Sequence, residues 1–286
     1  MILTMYFAKP LFSISAISLS GFSSSRLSNL SCLKKDDGVG GEDDIFQGFS
    51  VLSSDTPWDK DSMWSSMSLY FFSLHVPLSF GGLSVISKIL HQPVLDPQIE
   101  ALSILISQIT ELFGALALLR YSAKAQYKLS SLFQNRNFSK ERNWIQSSVL
   151  GFGFLMLVVI LTSLLADRLT GPKDVNNILL KEILSSGSIS STACFLVYCF
   201  VTPLLEEIVY RGFLMGTLSS TMKWQQAVFI SSCIFSLAHL STENSLQLFV
   251  IGWVLGCSYC WSGNLSSSFL LHSLYNAVTL IITLIA

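Results

Sequence analysis

The chain has 286 residues, a formal net charge of −1, 51% hydrophobic residues and 12% charged ones, with a mean hydropathy of +0.56. Soluble globular proteins carry about 25% charged residues, so this composition argues against a soluble enzyme. The near-zero charge also excludes a nucleic-acid footprint, because no basic excess exists to neutralise phosphates.

Charge is unevenly placed. Of 35 Asp, Glu, Lys and Arg residues, 13 lie in positions 1–64, 7 in 120–142 and 6 in 167–182. The remainder reads as an all-α, polytopic transmembrane helical bundle. The first 35 residues hold no Asp or Glu, nine Ser, and the basic residues Lys9, Arg26, Lys34 and Lys35. An acid-free, Ser-rich start reads as an organellar transit peptide, plastid rather than mitochondrial because Arg is scarce. The rival is a secretory signal over Ile14–Phe22, whose apolar run Ser interrupts. Asp36–Asp61 is acidic and aperiodic and reads as flexible. Residues 1–50 are therefore expected to be transit peptide and disordered leader, and 51–64 linker. The expected address is a chloroplast membrane, with the endoplasmic reticulum membrane as the alternative.

From Ser65 onward, apolar runs are expected to form helices at about 65–90, 98–120, 145–166, 189–218, 224–240, 246–261 and 265–286, on the basis of about 20 residues per crossing. Residues 65–188 form the N-terminal transmembrane helices and 189–286 a separate helical core. Pro203 is expected to bend or divide the long 189–218 segment, which makes the count six to eight membrane helices. The loop after the second span sets Arg120, Lys124, Lys128, Arg136, Lys140 and Arg142 against the single acid Glu141, which places it on the cytoplasmic or stromal side. No inverted repeat suggests a transporter. Cys257-x-x-Cys260 lies in an apolar segment beside Gly252 and Gly256 and reads as a close helix crossing rather than a redox site.

An ionisable residue inside a span is costly and normally faces a partner or a cavity. Glu206, Glu207 and Arg211 form the densest such group. Glu207 and Arg211 are four apart on one helical face, with the acid N-terminal, which favours an ion pair. Glu206 lies about 100° round the helix and keeps a less committed carboxylate. His239 and His272 occupy two further apolar segments, and His272 shares a face with Asn276, four residues on. Glu plus His can activate a water, and His plus Asn can donate to an oxyanion. Of the weaker candidates, Glu111 reads either as lining the same cavity or as a local interhelical hydrogen bond. His75 reads as a kink residue near Pro77, and Glu243 as loop surface.

The ordered motifs E-E-x-x-x-R (Glu206, Glu207, Arg211), F-x-x-x-H (Phe235, His239) and H-x-x-x-N (His272, Asn276) resemble those of the CPBP intramembrane proteases. That family includes the CaaX prenyl endopeptidases and the Abi bacteriocin-immunity-like proteins; with the leader, the chain is similar to a plant-type organellar member. The resemblance covers residues 189–286 and implies an intramembrane endopeptidase. Glu206 and His239 would activate water, His272 and Asn276 would stabilise the oxyanion, and Glu207 and Arg211 would order the site. Its substrate would be a membrane-anchored protein or peptide, of which CaaX-type prenylated proteins are one class; membrane lipids are the other expected partner, and nucleic acid is not. A metalloprotease-like alternative makes Glu206, His239 and His272 zinc ligands. No H-E-x-x-H occurs and Asn276 is a poor zinc ligand, so no cofactor is expected. A non-proteolytic membrane scaffold or regulator of the same fold is the competing function; a solute carrier is a more distant one.

Overall fold

The computed structural model describes residues 49–52, 56–134, 142–170, 178–241 and 244–285. Nearly all of the leader, and Glu243, lie outside the described residues. Helices dominate what is described: α1 Met63–Phe80, α2 Gly82–Ile89, α3 Pro97–Ser122, α4 Trp144–Thr170, α5 Ile178–Ser185, α6 Ser188–Leu218, α7 Trp224–Ala238, α8 Ser245–Ser262 and α9 Leu265–Ile285. One isolated bridge pairs Trp58 with Ala123.

Helix α3 begins where the local chemistry starts it. The Asp96 side chain accepts the Gln98 amide at 3.0 Å, and Pro97 fills the first helical position, where its missing N–H costs nothing. Five helices are long and apolar enough to cross a membrane, and six if α1 and α2 count as one bent span. Helix α7 has 15 residues and reaches about 22 Å, short of an apolar core of about 30 Å. The bent pair turns by 50° at Gly81, where an added Cβ would stand 2.7 Å from the Pro77 carbonyl oxygen. Helix α4 exposes Leu150, Phe154, Leu157 and Leu161 along one stripe, the face an integral membrane protein presents to lipid.

Three differences from the sequence reading have physical causes. Pro203 does not divide the long segment: α6 is a single helix of 31 residues. Its backbone widens into π turns at Val197–Val201 and Glu207–Met215. The first of these, just before Pro203, accommodates the proline ring and the missing N–H. Helix α5, not foreseen, buries Leu180, Ile183 and Leu184 against Ala101, Ile104 and Ala193. The supposed linker is in part a docked strap. Trp58 is 3% exposed, donates its indole N–H to the Leu119 carbonyl at 3.0 Å and packs edge-on against Phe213. Burying so large an aromatic surface outweighs the ordering of a short polar segment. Arg142 ties the strap down further, donating to the carbonyls of Phe49 at 2.6 Å and Trp261 at 3.2 Å.

Candidate active site

Helix α6 carries Glu206 and Glu207 side by side, and the helical rotation sends their carboxylates to different neighbours. Glu207 Oε1 meets Arg211 Nη1 at 3.0 Å, the four-residue pairing anticipated from spacing. Both side chains are fully buried, so each charge depends on the other; removing one partner of such a pair costs about 3–5 kcal/mol. The Arg211 guanidinium also lies 4.3 Å over the Phe235 ring and donates from Nη2 to the Gly252 carbonyl at 3.3 Å. Glycine lets the helices approach closely there: a Cβ on Gly252 would lie 3.2 Å from Ser232 Cα and 3.2 Å from Phe235 Cδ1, so both would have to shift slightly. The G-x-x-x-G stretch of α8 is thus a close crossing with α7, as the sequence suggested. The neighbouring Cys257 and Cys260 are free thiols.

Helices α7 and α9 bring the histidines to the same place. His272 Nδ1 lies 2.9 Å from Glu207 Oε1, and a carboxylate can only accept, so Nδ1 carries a proton. His239 Nδ1 lies 2.6 Å from the Phe235 carbonyl, and the same reasoning puts a proton there. Both Nε2 atoms then face Glu206: His239 Nε2 at 3.6 Å from Oε1 and His272 Nε2 at 3.7 Å from Oε2. These separations are long for a direct hydrogen bond and suit a single bridging water. Glu206 Oε2, His239 Nε2 and His272 Nε2 are sealed from solvent with no hydrogen-bond partner among the described residues. Buried polar atoms are normally paired, and here three unpaired ones gather about the Glu206 carboxylate.

Asn276, expected beside His272, sits one turn further along α9. Its Nδ2 donates to the Tyr198 carbonyl at 2.9 Å, within the first π turn of α6; the second Nδ2 hydrogen is left for another acceptor. Among the described residues no group of three His, Cys, Asp or Glu side chains is arranged to hold a metal ion.

A second polar cluster escaped the sequence reading as a unit. Glu111 of α3 accepts from Tyr70 at 2.8 Å and from Ser79 at 2.7 Å, and its Oε1 lies 2.8 Å from His75 Nδ1. Of the two alternatives for Glu111, the interhelical hydrogen bond is the one seen. Two lipid-embedded ionisable residues on successive spans, His75 and Glu111, were the available signal.

A helical membrane bundle enclosing a carboxylate–imidazole cluster defines the class. Residues 188–278 match the family described as Type II CAAX prenyl endopeptidase Rce1-like. The Membrane-embedded CAAX protease MroQ of Staphylococcus aureus (strain USA300) is 27% identical over 144 residues, which are 48% of this chain and 58% of that relative. No solved structure matches significantly. Through α6 to α9 the chain is therefore similar to the Rce1-like CAAX protease family.

Proposed function

We propose that the protein is an intramembrane endopeptidase that hydrolyses a peptide bond of a membrane-anchored protein through water held by Glu206, His239 and His272. The convergence of the two Nε2 atoms on the Glu206 carboxylate supports this reading above any other observation. Charge balance supplies the proton inventory. Glu206 and Glu207 bring two negative charges and Arg211 one positive, so the buried site is neutral when one further proton resides on its imidazoles. With that proton on His272 Nε2, Glu206 acts as general base and His239 orients the attacking water.

The water oxygen bonds to the scissile carbonyl carbon while Glu206 takes the water proton. His272 Nε2–H and the second amide hydrogen of Asn276 donate to the oxyanion. Collapse breaks the C–N bond, and Glu206 returns its proton to the leaving amine. Glu207, itself paired with Arg211, holds the His272 ring through Nδ1 so that Nε2 faces the site. No step requires a metal. Substrates are membrane-anchored proteins or peptides, CaaX-type prenylated ones among them, reached from surrounding lipid. The acid-free, Ser-rich leader supports a chloroplast membrane, with the endoplasmic reticulum as the alternative address.

The test compares membrane-protein N- and C-termini in cells carrying the active chain or Glu206→Gln, beside cleavage of a farnesylated CaaX peptide by purified protein with and without chelator. Internal termini that vanish in Glu206→Gln, and chelator-resistant cleavage, are expected. Identical termini in both, or complementation of a loss-of-function line by Glu206→Gln, would establish the scaffold instead.

A further inference from the structure

The Glu111 cluster reaches the active site at one atom. His75 Nδ1 lies 2.8 Å from Glu111 Oε1 and its Nε2 lies 3.3 Å from the carbonyl oxygen of Ala238. Ala238 is the last residue of α7, and His239 is its C-cap. Both partners of the His75 ring are acceptors, so both hydrogen bonds form only when the ring carries two protons. The result is an imidazolium held by a buried carboxylate and set against the C-terminal end of a helix, where the backbone dipole favours a cation.

The carbonyls at a helix C-terminus have no partners within the helix. Here Phe235 receives the His239 ring N–H at 2.6 Å, Ser236 receives the His239 amide at 3.3 Å, and Leu237 receives the Leu240 amide at 3.0 Å. Leu240 then leaves the helix at φ +46°. Ala238 is buried, and His75 supplies the hydrogen bond to its carbonyl from across the bundle. The same network also grips α6. Gln108 donates to Ser79 at 3.0 Å, and its Oε1 accepts from Thr202 at 3.2 Å, one turn before Glu206. Helices α1 and α3, outside the matched residues 188–278, thereby touch both helices that carry the water-activating pair.

We propose that His75, held by Glu111, is a positioning residue that fixes His239 by capping α7 in trans. This rests on the endopeptidase reading, because only there does the aim of His239 Nε2 matter. A misplacement of about 1 Å at a reacting group can cost about 100-fold in rate.

The experiment uses the purified full-length chain and its His75→Ala, His75→Gln and Glu206→Gln variants. It measures kcat and KM on a farnesylated CaaX peptide, and hydrogen–deuterium exchange over residues 235–241 with α8 as internal control. His75→Ala is expected to lower kcat roughly 10–100-fold with KM within about twofold, and to speed exchange at the end of α7 but not in α8. His75→Gln, which keeps an N–H for Ala238, is expected to recover much of both. Unchanged kcat and exchange in His75→Ala, or His75→Gln behaving as His75→Ala, overturns the proposal. Full activity of Glu206→Gln would instead sink the endopeptidase reading. The exchange result remains informative in that case, so the two failures are distinguishable.

Discussion

Glu111 and Glu206 are both carboxylates buried among membrane helices, and both face histidine, yet their surroundings differ in one respect. Glu111 has a partner for each acceptor site: Tyr70, His75 and Ser79 approach its two oxygens within 2.8 Å, and Gln108 Nε2 lies 3.5 Å from Oε2. Glu206 has its histidine nitrogens at 3.6 and 3.7 Å and an oxygen with no partner. A saturated carboxylate can hold helices together but has no lone pair to offer a substrate water. An unsaturated one is costly to bury and is ready for chemistry. The N-terminal helices and the C-terminal core thus carry the same pairing of residue types in different states of hydrogen bonding.

That contrast can be attacked at four places. Glu206→Gln should lower cleavage by roughly 10³–10⁴-fold while leaving the melting temperature in detergent equal or higher, since a neutral amide is easier to bury there; a clear fall in melting temperature would make Glu206 structural. Arg211→Met should destabilise by about 3 kcal/mol, because Glu207 is left buried and charged without its guanidinium partner; thermal unfolding reads this, and an unchanged midpoint would deny the ion pair its place. Glu111→Gln should cost roughly 2 kcal/mol in unfolding free energy, with a smaller rate loss than Glu206→Gln. If the two rate losses prove equal, saturation is the wrong criterion. Gly252→Ala should cost about 1 kcal/mol, as Ser232 and Phe235 give way by tenths of an ångström, and the shift of Phe235 beneath Arg211 should appear as a modest drop in rate.

Much of the core was legible beforehand. Glu207 and Arg211 pair as a four-residue helical spacing favours, and His239 and His272 face Glu206 as ionisable groups in apolar helices normally face a partner or a cavity. Asn276 was legible as a buried donor but not as a partner of Tyr198, because the π turn that presents that carbonyl has no clear mark in composition. Pro203 was legible as a local defect, but not that the backbone would widen into a π turn beside it instead of dividing the helix. Trp58 was missed because one large aromatic in an acidic stretch barely moves a local average, yet it docks the strap.

The sequence by itself determined that this is a membrane bundle, most of the segments that are helical, and which few ionisable residues must be enclosed, because hydropathy and helical periodicity act over one or two turns. Only the tertiary structure decided that Glu111 is satisfied and Glu206 is not. The bonds that settle the matter join residues 36 apart for His75 and Glu111, 65 for His272 and Glu207, and 163 for His75 and Ala238. Contacts at such separations follow from how helices pack, and local patterning cannot specify which nitrogen meets which oxygen.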